Sequence, residues 1–237
     1  MEKNYTMILW MNDYNESLGN QIKRIYSSMK EMSELDYLKP KYLKAYSKKE
    51  AEEFVLTKEN IEKIIERNRT DNEMTDLGSR FGFFTSMNDD TMCGISFSTG
   101  IRTAQFVNTL VINISNQNYE DNLKDKEVTS LFMKLVEINK PFYACLSEDE
   151  NRSMYGPYMK SIDGVPSSVL WINYFGEAIA TKLNISEKMA DTNIEELCEI
   201  RELNDGYYIR LQERPINNLS EEQLSNQKKI NSILGLD

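Results

Sequence analysis

Two periods of hydrophobic and polar residues run along this chain of 237 residues. Apolar side chains at steps of three and four residues predict amphipathic helices, whereas strict alternation predicts strands with one buried face. Helices are predicted at 15–33, at 48–68 as one broken helix or two short ones, at 126–139, at 176–183, and from Ser220 to a stop at Gly235. Ser220 and Gln223 have capping-box spacing, which is typical of a helix start.

Alternating and short apolar runs predict strands at 5–11, 81–87, 93–97, 106–114, 142–146, 168–174, 197–203 and 207–212. Consecutive strands with short connections favour an antiparallel meander. Asn204-Asp205-Gly206 is a hairpin signal, because Asp-Gly readily takes the positive φ of a tight turn. The segment 147–166 has glycine and proline breaks and no apolar period, which predicts a long loop. We therefore expect an α+β fold, a mainly antiparallel sheet flanked by amphipathic helices, as a single domain over residues 1–237.

Composition agrees with a folded protein, since 40% of the residues are hydrophobic and 28% are charged. The formal net charge of −10 argues against broad affinity for nucleic acid, because phosphate neutralisation needs clustered Lys and Arg. The same charge would attract a basic partner and speed the encounter. One basic patch, KPKYLKAYSKK at 39–49, is either a solvated loop or a surface for acids.

The first apolar run is soon interrupted by Asn12, Asp13 and Glu16, so neither a secretion signal nor a membrane span is predicted. We expect a cytoplasmic protein with no membrane contact. Cys93, Cys145 and Cys198 lie in apolar surroundings, which is typical of reduced core residues rather than of a redox or metal site.

Histidine is absent from the sequence. This excludes Ser-His and Cys-His nucleophilic pairs, histidine general bases and histidine zinc ligands. Phosphate-binding glycine loops are missing as well. The S-x-x-K match SSMK falls inside the first predicted helix without its companion motifs, so chance explains it best. We expect no catalytic residue, no cofactor and no metal ligand, although plentiful carboxylates leave a metal-dependent hydrolase open.

Two adjacent carboxylates, Asp89 and Asp90, lie between two predicted strands in the sequence MNDDT. Asn and Asp favour turns because they bond their own backbone, so a turn role outweighs a metal role here. Acids are also dense at 187–205, which holds seven against Lys188 and Arg201. Acidity and loop position together select the candidate partner contacts: Asp89, Asp90, Glu148, Asp149, Glu150, Tyr155, Tyr158, Glu195, Glu196 and Glu199. Tyrosines are included because aromatic side chains often anchor interfaces.

Three stretches resemble the immunity protein 52 family of bacterial polymorphic toxin systems. They are LGSRFGFFTSMNDDTMCGISFSTG at 77–100, SSVLWINYFG at 167–176, and DGYYIRLQERPINNLSEEQLSNQKKINSILGL at 205–236. The resemblance spans nearly the entire chain and carries no catalytic signature. Its matching positions are residues that build strands and the terminal helix: Gly82, Gly94, Trp171, Tyr174, Gly206 and Leu234.

This resemblance implies a cytosolic inhibitor produced beside a secreted toxin, which is often a nuclease with a restriction-endonuclease-like fold. The expected function is therefore to bind and neutralise one cognate toxin, without direct contact to nucleic acid. Two alternatives stay open: a carboxylate- or metal-dependent hydrolase, and a non-catalytic adaptor that has no toxin partner.

Overall fold

The structure is a computed structural model that describes residues 4–12, 16–44, 48–69, 75–103, 106–115, 117–118, 125–156, 164–191, 193–216, 218 and 220–236. Its strands are β1 Tyr5–Met11, β2 Tyr42–Leu43, β3 Glu52–Glu53, β4 Ser79–Phe84, β5 Gly94–Thr99, β6 Asn108–Ile114, β7 Tyr143–Glu148, β8 Ile172–Phe175, β9 Glu199–Leu203 and β10 Gly206–Arg210. Its α-helices are α1 Leu18–Ser33, α2 Lys58–Arg67, α3 Asp125–Asn139, α4 Asp149–Tyr155, α5 Glu177–Lys182, α6 Ile185–Asp191, α7 Ile194–Leu197 and α8 Glu221–Leu234. Three short 3-10 turns lie at Asp36–Leu38, Lys48–Glu50 and Thr75–Leu77.

The strands form one sheet of ten in the order β3-β2-β4-β5-β6-β1-β7-β8-β10-β9. Each neighbouring pair is antiparallel. The predicted class, an α+β fold with a mainly antiparallel sheet flanked by helices, is confirmed. The predicted meander is present as β4, β5 and β6, which follow one another in the chain and in the sheet.

Strand β1 lies in the middle of the sheet and pairs on both edges. Leu9 faces Leu110 of β6 on one side and Ala144 of β7 on the other. Six of its seven residues are buried. A strand that is buried on both faces reads as a continuous apolar run, as YTMILWM does.

Helices α1, α2 and α3 cover one face of the sheet. Ser17 begins α1 by accepting a hydrogen bond from the Asn20 amide, and Thr57 begins α2 in the same way toward Asn60. The helices bury the following apolar side chains against the sheet: Ile22, Ile25, Met29 and Met32 from α1, Ile61, Ile64 and Ile65 from α2, and Val128, Leu131, Phe132, Leu135 and Val136 from α3.

Helices α5 to α8 belong to a second layer on the opposite face, over β7, β8 and β10. The side chains of Cys145, Asn173 and Ile209, which lie on this opposite face, are fully buried. Amide side chains hold α8 in place: Asn231 Oδ1 accepts from the Val169 amide at 2.8 Å, and Gln227 Nε2 donates to the Val169 carbonyl at 2.7 Å. This buried polar seam is fully bonded, as low-dielectric surroundings require.

The long loop predicted at 147–166 is wrong in its first half. Residues 147 and 148 complete β7, and Asp149–Tyr155 forms α4. Helix α4 shows no apolar period because its buried face is polar: Asn151 is 0% exposed and donates to Asn218 Oδ1 at 2.9 Å. Residues 157–163 lie outside the described residues.

Other predicted elements also differ from the structure. The strand predicted at 168–174 is Ile172–Phe175, because residues 168–171 bond instead to α8 and to the Asn173 side chain. The segment 48–68 contains the short strand β3 before α2. Helices α6 and α7 were not predicted, since each is too short to show a hydrophobic period.

The hairpin between β9 and β10 is confirmed, but for a different reason at its glycine. The positive φ belongs to Asn204, at 52°. Gly206 is needed because the backbone of β8 lies close to it: a Cβ at this position would lie 2.2 Å from the Phe175 carbonyl oxygen. Glycine therefore permits β10 to approach β8.

Both outer edges of the sheet are short and charged. Strand β3 at one edge consists of Glu52 and Glu53, and β9 at the other carries Glu199, Arg201 and Glu202. Charged side chains on edge strands oppose pairing with strands of other molecules. The sheet is therefore protected from extension at both ends.

A buried ion pair joins α1 to the sheet and to α3. Arg24 Nη2 lies 2.7 Å from Glu16 Oε2, and the two side chains are only 7% and 12% exposed. The guanidinium also donates to Thr99 Oγ1 of β5 at 3.1 Å and to Asn139 Oδ1 of α3 at 3.3 Å. These bonds satisfy a charge that would otherwise be costly to bury.

We predict that Arg24→Ala lowers the free energy of unfolding by about 3–5 kcal/mol, because it leaves Glu16 buried without its partner. The matched control is Arg67→Ala, which breaks an ion pair with Glu52 whose side chains are 66% and 61% exposed. We expect that control to cost about 0–1 kcal/mol. Urea unfolding followed by circular dichroism measures both, and equal losses would contradict the prediction.

Candidate functional site

Strands β4, β5 and β6 leave one of their faces uncovered within the described part of the chain. On β5 the inward residues Ile95, Phe97 and Thr99 are buried, whereas the alternate residues are half-exposed. The same alternation follows β6, where Asn113 is exposed. We call this surface the open face and define it by its outward residues: Arg80, Gly82, Phe84, Gly94, Ser96, Ser98, Thr109, Val111 and Asn113. Gly82 alone among them is buried, because the Lys44 side chain lies over it.

The open face is unusual in the size of its side chains. The register places Gly82 opposite Ser96 and Phe84 opposite Gly94, so glycine and serine form the middle of this surface. A solvated sheet face is ordinarily filled by longer polar or β-branched side chains. Here the small residues leave a concave floor.

A cavity of about 460 Å³ lies on this floor. Three aspartates from two distant parts of the chain line it, Asp89 and Asp90 from the β4–β5 turn and Asp149 from the start of α4, together with Lys44. The other lining residues are Asn4, Phe83, Phe84, Met92, Gly94, Ser96, Asn113, Ile114, Ser115 and Gln117. Carboxylates outnumber cations in its lining, so the cavity is suited to a positively charged group.

The turn that carries Asp89 and Asp90 is held by its own side chains. Asn88 Oδ1 accepts a hydrogen bond from the Asp90 amide at 3.1 Å, and Ser86 Oγ accepts from the Asn88 amide at 3.0 Å. Asn118 Nδ2 donates to the Thr91 carbonyl at 2.5 Å and ties the turn to the segment after β6. The predicted turn role is thus observed, with both aspartates exposed at the edge of the cavity.

Asp149 is fixed from three sides. Its amide donates to the Asn4 carbonyl at 2.8 Å, and Thr6 Oγ1 lies 2.5 Å from its carboxylate Oδ1. Arg152, one turn later in α4, lies 3.4 Å from the same oxygen. The carboxylate therefore keeps one position at the cavity wall.

A second cavity of about 600 Å³ adjoins the first and shares Lys44 and Ser96 with it. Its charged lining is mostly basic, with Arg67 and Arg80 beside Glu52. The Arg80 guanidinium stacks on the Phe106 ring at 5.9 Å. The charge of the open face therefore changes from acidic at the first cavity to basic at the second, with Lys44 between them.

The remaining predicted contact residues do not share this site. Glu148 is 5% exposed and accepts from Asn218 Nδ2 at 3.3 Å, so it lies inside the protein. Glu150 is exposed and Tyr155 half-buried on α4. Tyr158 lies outside the described residues.

Glu195, Glu196 and Glu199 lie at the opposite end of the sheet. Glu199 on edge strand β9 pairs with Arg210 at 2.7 Å and with Arg201 at 3.7 Å. Six strand steps separate β9 from β5, roughly 29 Å along the sheet. A compact partner that covers the open face would not reach these acids directly.

Sequence reasoning missed most of the floor, in particular Lys44, Ser96 and Asn113. One signal was available in β5, where the sequence GISFST alternates small and large residues. That alternation shows which face is packed, but it cannot show that the other face lacks a cover.

No group of three or more Cys, Asp or Glu side chains is placed to hold a metal ion within the residues that the structure describes.

Across the same residues, no helix has the length and apolar character needed to cross a membrane. The three cysteines are buried, unpaired with one another and away from the cavity lining.

Comparison with known proteins gives a likeness to a solved structure. No family model matches the chain, and no curated protein matches it. The solved structure of the Pseudomonas aeruginosa T6SS protein PA0821 is similar, with a TM-score of 0.69 over 100% of this chain and 73% of that protein, at 9% sequence identity. At this identity the likeness shows a shared fold and nothing further. Membership of the immunity protein 52 family stays a prediction.

We predict that the protein loses stability in alkali through its thiols. Burial raises the pKa of Cys145 to about 12, and burial with Glu195 and Glu199 nearby raises the pKa of Cys198 to about 12, from an ordinary value of 9.0. Folding thus favours the neutral thiol, so its contribution is complete below about pH 9 and falls as the pH rises toward 12. Each thiol steepens the decline by up to about 1.4 kcal/mol per pH unit.

Urea unfolding at a series of pH values from about 8 to 11 measures this slope. The double variant Cys145→Ala/Cys198→Ala should show a shallower decline than the wild type, although the buried tyrosines retain their share. A slope unchanged by the two substitutions would contradict the prediction.

Proposed function

We propose that this protein is an immunity protein that binds and neutralises a cognate bacterial toxin in the cytoplasm of the cell that makes both. The observation that carries the proposal is the open face, where the described chain leaves one face of β4, β5 and β6 uncovered and places aspartates beside it. An uncovered concave surface with fixed charges is typical of a binding site for another macromolecule.

Charge favours a basic partner. The whole chain has a net charge of −10, and the cavity on the open face is acidic. Nucleases present basic grooves to their substrates, so an acidic protein can occupy such a groove and exclude the nucleic acid. We therefore propose a nuclease with a restriction-endonuclease-like fold as the toxin, and occlusion of its active site or substrate groove as the mechanism.

This proposed function needs no catalysis by the chain. The turn geometry explains Asp89 and Asp90 without a reaction, since Asn88 and Ser86 bond its backbone. Histidine is absent, so the usual general base near neutral pH is missing. Binding alone accounts for the arrangement of the site.

Two comparisons support a role in competition between bacteria. The fold is similar to that of a protein described as belonging to the T6SS, a secretion system. The sequence resembles the immunity protein 52 family in the three stretches quoted above. Together they favour an inhibitor of a secreted toxin over an adaptor that has no toxin partner.

A hydrolase is the second candidate, because Asp89, Asp90 and Asp149 line one cavity, although no three carboxylates among the described residues are placed to hold one metal ion together. It predicts turnover that depends on Mg²⁺ or Mn²⁺ and that disappears in Asp89→Asn/Asp90→Asn. The immunity proposal predicts no such turnover.

The decisive experiment expresses the adjacent reading frame, which the proposal expects to encode the toxin, in a bacterial host, with and without this protein. We expect growth arrest by the toxin alone, normal growth with both, and a stoichiometric complex on purification. An unrelated acidic protein of similar size is the control for charge. Arrest that persists although the protein is soluble and abundant, or metal-dependent hydrolysis by the purified chain, would overturn the proposal.

A further inference from the structure

We infer that the open face receives an extended segment of the toxin that carries a cation at one end, with that arginine or lysine side chain in the cavity between the β4–β5 turn and the start of α4. This inference rests on the proposed function and adds to it the site and the chemistry of the contact. It follows from the shape of the floor, from its charge, and from the occupants that this charge disfavours.

The floor has room for a partner's chain. A Cβ added to Gly94 would meet only Asn113, at 3.6 Å and 3.9 Å, which is ordinary contact. The backbone at Gly94 also has no positive φ that would demand glycine. Neither packing nor backbone conformation therefore requires the missing side chain, and its absence leaves space above β5.

The Asp149 carboxylate is held in place before any partner arrives, and the backbone of the turn that carries the other two carboxylates is ordered. Thr6 and Arg152 fix Asp149, while side chains within the β4–β5 turn fix the backbone around Asp90. Side chains that are already ordered lose little conformational entropy on binding. A guanidinium or ammonium group would find acceptors on two sides of the cavity, which suits the several donors of Arg and Lys.

Other occupants fit less well. A second copy of this chain would bring another net charge of −10 to an acidic surface. Nucleic acid phosphates would be repelled by the same aspartates. A small apolar ligand prefers a pocket lined mainly by hydrophobic side chains, whereas aspartate, asparagine, serine and lysine dominate this lining. A basic protein segment is the occupant that charge complementarity selects.

The basic end of the open face fixes the orientation in which the segment can bind. Arg80 lines the second cavity, which shares Lys44 and Ser96 with the first, and Arg67 reaches it from α2, where it pairs with Glu52. A partner with positive charge along its whole length would be opposed there, so the fitting segment carries its cation at one end and neutral or acidic groups at the other. Such a charge pattern confers specificity by rejecting wrong partners.

The test measures binding to the toxin of the adjacent reading frame, purified with its active site inactivated. Two variants alter the open face: Asp89→Lys/Asp90→Lys reverses the charge, and Gly94→Val fills the floor with a side chain that strands favour. The matched control, Glu195→Lys/Glu196→Lys, makes the same change in net charge on exposed acids of α7. Circular dichroism melting checks that all variants fold.

We expect both open-face variants to weaken the affinity at least about tenfold, with the charge reversal losing its effect as salt is raised. The control should stay within about twofold of the wild type. If the wild type binds but the control weakens binding as much as the open-face variants do, or the open-face variants have no effect, this inference is wrong while the proposed function stands.

Two other outcomes also decide against the inference. If the wild type forms no complex with the toxin, the proposed function fails and this inference fails with it. If size-exclusion chromatography shows that the chain associates with itself and Gly94→Val abolishes that association, the open face belongs to a second copy instead.

Discussion

The rest of the structure depends on the pairing register of β1, a buried strand whose two edges pair with strands in different environments. On one edge β1 pairs with β6, at the margin of the open face, and on the other it pairs with β7, where both faces are covered. A slip of one residue would turn every apolar side chain of β1 to the wrong face. The rings of Trp10, Tyr143 and Phe175, with centroids 5.3 Å and 5.4 Å apart, pack side by side across β1, β7 and β8 and help to fix the register.

Local sequence patterns were sufficient to predict the elements whose buried residues are apolar. Strand β1 and helix α3 were predicted from their apolar spacing within one residue of their observed bounds. The same spacing failed at α4, because Asn151 rather than an apolar residue faces inward and bonds to Asn218. Pairing order was also beyond reach, since the contact of β1 with β6 and β7 joins residues far apart in the chain.

The candidate site was also predictable from the sequence only where it depends on local interactions. The turn at Asp89 and Asp90 could be predicted because Asn and Asp bond neighbouring backbone groups, which is a local effect. Its convergence with Asp149 could not, because only the folded sheet brings the start of α4 next to that turn. Acidity alone also selected Glu199, which ion pairs with Arg210 and Arg201 occupy at the far edge.

The charged edge strands β3 and β9 have a consequence for how recognition can evolve. With strand addition disfavoured at both rims, contacts must be made by side chains that stand on the sheet rather than by its backbone. Residues such as Gly94 and Ser96 point away from the packed interior. Exchanging them leaves the hydrogen-bonded ladder and the apolar layers beneath intact, so one scaffold can be retuned to a new target by a few point substitutions.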